Sequence, residues 1–357
     1  MVSESLANNM LHGLDERTAA IYSPIQEGLL RVDDRLRNLS KTETSAVQPL
    51  IKYVTEVGGK RVRPAITLLA AQFHDHDSDR PIIMASAVEL LHLATLIHDD
   101  TVDNSPTRRG RATVSNTWSP YVAVLFGDYV FATSATFVCD TYNIRVIRRF
   151  SETIMELAGG QLMEYFTAYD PSQARTLYND RIYRKTASLF CTASESGAIL
   201  GESSETEVKA LRDFGYNVGM AFQVRDDLLD FQGDSSDLGK PVGNDLKNGV
   251  LTLPTIMLME RYPNDNLVQA LFNDRTNDAK LQKVIHVIND STIMSDCESV
   301  VQEGLVIFGL SNITLGFLFY ALLILCTIGA VLSNNRKNIL LIKTRDRLII
   351  IDRKSVV

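Results

Sequence analysis

Residues 89–110 read ELLHLATLIHDDTVDNSPTRRG. Leu90, Leu91, Leu93, Ala94 and Ile97 recur at helical spacing and deliver three carboxylates, Asp99, Asp100 and Asp103, at the end of the run. Asp99 and Asp103 stand four apart, so on a helix they share a face about one turn apart, where like charges repel unless a cation lies between them. Pro106 then breaks the helix, and Arg108 and Arg109 supply planar forks suited to phosphate oxygens. Carboxylates for a hard divalent ion, followed by arginines for an anion, describe a metal–phosphate site.

The arrangement recurs at residues 222–231, FQVRDDLLDF, with Asp226, Asp227 and Asp230 on a second apolar run. One such triplet reads most simply as a solvated helix end. Two copies, each inside a core-like helix, do not. The simplest construction sets two helices face to face with Mg²⁺ and a polyphosphate between them. Magnesium suits the role because it keeps several waters and takes only one or two carboxylates plus substrate phosphates.

The rest of the 357-residue chain frames that site. Apolar residues make up 45% and supply ample core, while a net charge of −7 argues against nucleic acid, whose binding needs a basic face. Cys139, Cys191, Cys297 and Cys326 lie far apart with no CxxC spacing, so reduced thiols are expected. No basic–apolar–small leader pattern opens the chain, so a cytoplasmic protein is expected. An amphipathic segment (Ile25, Leu29, Leu30, Val32, Leu36) is expected to pack on the outside of the body. From Pro49 to about 290 helical periodicity dominates, prolines fall between runs, and no NG or DG hairpin signal occurs. The fold class is all-α, a bundle of roughly ten helices by typical helix and loop lengths.

Further chemistry lies in short basic motifs. Gly58-Gly59-Lys60-Arg61-Val62-Arg63-Pro64 puts Lys60 and Arg63 at the start of a helix, where anions bind. His74-Asp75-His76-Asp77 precedes Ser78, Asp79 and Pro81 and reads as a polar surface loop rather than a metal cluster. His92 is seven before Asp99, so it is a core histidine or a member of the same pocket. His98 packs or donates a hydrogen bond. Glu89-x-x-His92 has the spacing of a di-iron ligand pair, but no second copy exists to complete one. In YRKTASLF, Lys185 is on spacing alone either a snorkelling surface residue or an anion ligand. Gln223 lies one turn before Asp226. The loop GKPVGNDLK, with Lys240 and Lys247, is close enough in sequence to fold over a phosphate held at Asp226.

GGKRVRP, LIHDDTVDNSPTRRG, RKTASLF, FQVRDDLLDF and GKPVGNDLKNGVLTLP, in that order over about residues 20–303, resemble the motifs of the trans-isoprenyl diphosphate synthase (polyprenyl synthetase) family. The resemblance implies an all-α bundle with a central cavity, a homodimer or a heteromer, and repeated condensation of isopentenyl diphosphate onto an allylic diphosphate. It implies Mg²⁺ ions, two or three, bound with diphosphate by Asp99, Asp103 and Asp226, with Asp100, Asp227 and Asp230 supporting. Arg108, Lys185 and Lys240 then hold the allylic diphosphate, and Lys60, Arg63, His92 and Arg109 hold isopentenyl diphosphate. Thr186 and Gln223 line the reacting centre. The released diphosphate takes the departing proton, so no dedicated base is needed. The residue five before the first aspartate, which helps set the cavity floor, is Ala94, with Thr95 beside it and Leu91 and Val88 further down. Small residues there imply a medium- or long-chain product.

The pattern stops after Glu303, so 1–303 is expected as the catalytic domain. Residues 304–335 carry no charge and are long enough to span a bilayer, which raises membrane contact, and 336–357 form a basic tail. A membrane anchor, a buried terminal helix and a shifted reading frame all remain, and the abrupt change of character favours the last. Two rival functions stand beside the synthase. A class I terpene cyclase shares the first aspartate box but not DDLLD or GGKRVRP, and an impaired or regulatory subunit predicts eroded boxes.

Overall fold

Proline opens many of the helices. The computed structural model describes residues 22–42, 44–56, 59–74, 79–232, 242–265, 267–306, 339–343 and 348–352. In it Pro49, Pro81, Pro120 and Pro254 each occupy the first turn of a helix. The first amides of a helix have no carbonyl partner, so the missing N–H costs nothing there.

The helices run in order α1 (Gln26–Thr42), α2 (Gln48–Thr55), α3 (Val62–Ala71), α4 (Arg80–Val102), α5 (Val114–Thr117), α6 (Pro120–Cys139), α7 (Ile144–Thr167) and α8 (Arg175–Ile182). A π turn (Tyr183–Ala187) leads to α9 (Ser188–Leu200), α10 (Glu205–Gln232), α11 (Asn244–Lys247), α12 (Leu253–Arg261), α13 (Leu267–Phe272), α14 (Asp278–Asp290) and α15 (Ile293–Val306). The described helices exceed the expected ten because α5 and α11 have four residues each and α13 six, too short for periodicity to show. Two small antiparallel or paired strand elements interrupt the all-α plan. One is a ribbon of β1 (Thr107–Arg108) and β2 (Arg111–Ala112); the other pairs β3 (Ile339–Lys343) with β4 (Leu348–Asp352) inside the expected basic tail, where ILLIK and LIIID are rich in strand-favouring isoleucine. The apolar segment expected at 304–335 lies outside the described residues beyond Val306.

The chain divides into two compact units. Within the described residues, one comprises 22–151, 191–213 and 339 and the other 152–190, 214–306, 340–343 and 348–352. In the first, α4 is buried nearly all round: Met84, Ala85, Ala87, Val88, Leu91 and Ala94 are fully enclosed. By length and composition α4 and α6 could each cross a bilayer, but 67% of the α4 window is buried inside the protein, as for a core helix. The amphipathic α1 is more than an outer layer, since Leu29, Val32 and Leu36 face inward at helical spacing and Ile25 joins them from the turn before. The His98 imidazole lies directly against α6 at Gly127, where a Cβ would stand 2.2 Å from its Nε2. In the second unit Tyr178, Leu228, Phe231, Leu246, Leu251, Val284, Ile288 and Ile293 form one core. Cys139, Cys191 and Cys297 are free thiols, as expected of them, and Cys326 lies outside the described residues.

Candidate active site

In the first unit, α4 ends in the first aspartate box, and the three carboxylates do not share one environment. Asp100 is 6% exposed and turned inward. Arg108 Nε lies 2.7 and 2.9 Å from its two oxygens, and Nη2 lies 2.7 Å from Oδ1. A buried carboxylate needs such a fork, and this one fixes where the arginine stands. The arginine reaches Asp100 because β1 and β2 fold back as a hairpin whose two loop residues, Arg109 (φ 51°) and Gly110 (φ 75°), both adopt the left-handed conformation. That is the pattern of a type I′ turn. Glycine meets the demand freely, whereas arginine does so against its preference.

The GGKRVRP loop meets this hairpin. A Cβ on Gly59 would stand 3.1 Å from Arg109 Nη1, and Tyr22 donates to the Lys60 carbonyl at 2.8 Å. Arg61, also left-handed at φ 47°, precedes α3 and points inward between Asp33 (2.9 Å) and Glu89 (2.6 Å). Its buried triad ties the loop to α1 and α4. His92, Glu89, Arg108, Arg109, Arg111 and Tyr53 line one pocket, with the Arg111 guanidinium 4.5 Å above the Tyr53 ring. Burial first, then Arg63, Arg109, Arg108 and Arg61, hold the His92 pKa well below its ordinary value, so the imidazole is neutral at pH 7. Burial also pushes Arg63 down to about 10, against the attraction of Glu89. A neutral imidazole among arginines can hydrogen-bond a diphosphate without adding to the charge the cluster must carry.

In the second unit, the π turn carries Lys185 and Thr186. Lys185 Nζ lies 2.5 Å from Glu164, Thr186 Oγ1 donates to Gln223 Oε1 at 2.6 Å, and Gln223 Nε2 donates to Asp227 at 2.9 Å. The Tyr178 hydroxyl donates to the other Asp227 oxygen at 2.7 Å. Asp230 accepts the backbone N–H groups of Asn244 and Asp245, each at 3.2 Å, and so anchors the end of the GKPVGNDLK loop. Burial pushes Asp227 up to about 7, against the hydrogen bonds from Tyr178 and Gln223. Burial, then Asp230, Glu164 and Asp226, push Asp245 up to about 7.

The expected residues therefore gather in two groups. Asp100, His92, Arg108 and Arg109 line the first unit's pocket, Arg63 acts on His92 electrostatically, Lys60 precedes Arg61 in the adjoining loop, and Asp99 and Asp103 stand at the same helix end as Asp100. Lys185, Thr186, Gln223, Asp226, Asp227 and Asp230 belong to the second. Lys240 lies outside the described residues, as do Asp75, His76 and Asp77, while His74 pairs with Glu207 at 2.9 Å. His98 sits 3.3 Å from both the Val124 carbonyl and Asp128, the packing role expected of it. Sequence reasoning passed over Arg61, Arg111, Tyr178, Glu164, Arg181 and Asp245. Arg181 is 3% exposed, binds the Leu251 carbonyl at 2.6 Å and approaches Glu164 at 4.0 Å.

Magnesium fits this donor set. Burial, and after it the negative charge of Asp230, Glu164 and Asp226, raises the Asp245 pKa, with Lys185 opposing the shift. Among the described residues no three His, Cys, Asp or Glu side chains form a ready-made metal cage. A cation that takes one or two carboxylates and completes its shell with phosphate and water is the kind such a site accommodates.

A family model described as polyprenyl synthetase matches residues 44–288. The chain is 38% identical over 237 residues to heptaprenyl diphosphate synthase component 2 of Geobacillus stearothermophilus, covering 66% of this chain and 74% of that one. It is 33% identical to an all-trans-nonaprenyl-diphosphate synthase (geranyl-diphosphate specific) of Rhodobacter capsulatus, over 79% of this chain and 87% of that one. The crystal structure of heptaprenyl diphosphate synthase from Staphylococcus aureus superposes with a TM-score of 0.77 at 31% identity, covering 87% and 98% of the two chains.

Proposed function

The chain belongs to the polyprenyl synthetase family and is a prenyltransferase, and on that premise we propose that it condenses isopentenyl diphosphate repeatedly onto an allylic diphosphate to give an all-trans polyprenyl diphosphate. The observation that carries the reading is the pocket in which neutral His92 stands among Arg108, Arg109 and Arg111, beside an aspartate box whose middle carboxylate holds Arg108. Such a pocket suits a diphosphate next to a metal ion.

In this reading Asp99, Asp103 and Asp226 bind Mg²⁺, and Asp100, Asp227 and Asp230 support them. The bound Mg²⁺ supplies positive charge to the departing diphosphate. Arg108, Lys185 and Lys240 hold the allylic diphosphate and neutralise the charge that develops as its C–O bond breaks. Lys60, Arg63, His92 and Arg109 hold isopentenyl diphosphate. Thr186 and Gln223 face the reacting carbons, and the released diphosphate accepts the proton. Ala94, fully buried with Leu91 and Val88 below it, supports a product of medium or long chain.

For assembly we propose a homodimer, supported by the apolar side chains that α6 leaves exposed, Tyr121, Val124 and Leu125. The Geobacillus relative is by its name one component of an enzyme, so light scattering on the pure chain is informative: a dimer supports the homomeric arrangement, and a monomer that gains activity only with a second subunit opposes it. The catalytic reading is tested with Asp103→Ala and Asp226→Ala. Each should cut turnover at saturating Mg²⁺ by about a hundredfold or more while leaving the thermal transition in place. Near-wild-type turnover in both would refute it.

A further inference from the structure

We infer that Asp227, backed by Tyr178, is a positioning residue that sets the direction of the Thr186 hydroxyl through Gln223; this rests on the prenyltransfer reading of the same site. Asp227 is 2% exposed, and the described hydrogen bonds engage both of its oxygens, one with Tyr178 and one with Gln223. A carboxylate only accepts, so the amide of Gln223 must turn its NH₂ toward Asp227 and its carbonyl oxygen away. Thr186 lies 2.6 Å from that carbonyl oxygen, which also only accepts, so the hydroxyl must donate to it. The polarity of the whole chain follows from one end. Thr186 is left presenting lone pairs, not a proton, to whatever lies beyond it.

The backbone of Thr186 is fixed independently. Its π turn is pinched between two glycines: a Cβ at Gly219 would stand 2.4 Å from Ala187 Cα, and one at Gly160 would stand 2.8 Å from the Lys185 amide nitrogen. A rigid turn sets where the oxygen stands, and the relay sets which way it points. Lone pairs facing an allylic carbon stabilise the positive charge that grows there as the diphosphate leaves, whereas a hydroxyl proton in that direction opposes it. The first box is built on a parallel plan, since Asp100, the second carboxylate there, is turned inward to hold Arg108. In both boxes the middle aspartate aims a neighbour.

The test separates aiming from metal binding. Asp227→Asn offers Gln223 either a carbonyl or an NH₂, so the direction is no longer imposed, and Asp227→Leu offers neither. The expected kcat order is wild type, then Asn, then Leu, with Leu lower by about tenfold, the scale of one misdirected hydrogen bond. The Mg²⁺ concentration for half-maximal rate should rise less in either than in Asp226→Asn, which should raise it about tenfold or more. Thr186→Val combined with Asp227→Leu should lose little beyond Thr186→Val alone, because both cut one relay. Calorimetric titration with Mg²⁺ and inorganic pyrophosphate gives a readout independent of turnover: Asp227→Asn should bind more tightly than Asp226→Asn. Weakening of that binding to the level of Asp226→Asn, or losses that multiply in the double variant, overturns the inference. Unweakened binding in Asp226→Asn counts instead against the prenyltransfer reading of the second box.

Discussion

Replacing Arg61 by methionine should destabilise the protein and loosen its anion loop together. The guanidinium is buried between Asp33 at 2.9 Å and Glu89 at 2.6 Å, and all three side chains are at most about a tenth exposed. Methionine keeps the unbranched stem and so much of the packing, but leaves two carboxylates facing each other without a counterion. Breaking one buried pair in this way costs about 3–5 kcal/mol. For a chain of this size that lowers the thermal midpoint by roughly 4–7 °C. Differential scanning fluorimetry at pH 7 reads the loss directly. Asp33→Asn with Glu89→Gln in the methionine background should recover most of it at pH 7. Because Arg61 sits between Lys60 and Arg63, the KM for isopentenyl diphosphate should rise more than kcat falls. A midpoint within about 1 °C of wild type at pH 7, or no recovery when both carboxylates are also neutralised, would refute the reasoning.

Arg108→Lys should lower kcat/KM for the allylic substrate about tenfold, since an ammonium cannot span both Asp100 oxygens as the guanidinium does; steady-state kinetics checks it. Ala94→Phe should shorten the product, read by mass spectrometry, at a stability cost of about 1–3 kcal/mol because Ala94 is fully enclosed. An unchanged length distribution sinks the cavity-floor assignment. Asp245 and Asp227 both have folded pKa values of about 7, above their ordinary carboxylate value. The folded state therefore binds more protons between about pH 4 and pH 7, so the metal-free protein should lose stability as pH rises through that window and level off above it. Asp245→Asn should flatten the slope in a Tm-against-pH series.

Most of the fold was written in its periodicity. The run ending at Asp99 reads as a buried helix because apolar residues occur all round it, and α4 is enclosed as that pattern requires. The pairing of Arg108 with Asp100 was not legible: arginines following carboxylates read as forks for phosphate, and only the hairpin turns this one back onto the aspartate box. What escaped had weak local signals. Arg109-Gly110 forms a hairpin turn without the NG or DG pair, because here an arginine accepts the left-handed conformation beside the glycine. Arg61 looks like one more loop cation, and only the approach of Asp33 and Glu89, each 28 positions away, turns it inward. Tyr178 lies 49 residues from Asp227, and no spacing rule links residues brought together by packing between helices.

The most direct test is incubation of the purified chain with Mg²⁺, farnesyl or geranylgeranyl diphosphate and labelled isopentenyl diphosphate, with products resolved by mass. The account predicts a ladder rising in five-carbon steps to one dominant polyprenyl diphosphate longer than geranylgeranyl, abolished by a chelator. Cyclic hydrocarbons formed from the allylic substrate alone, with no label incorporated, would contradict it.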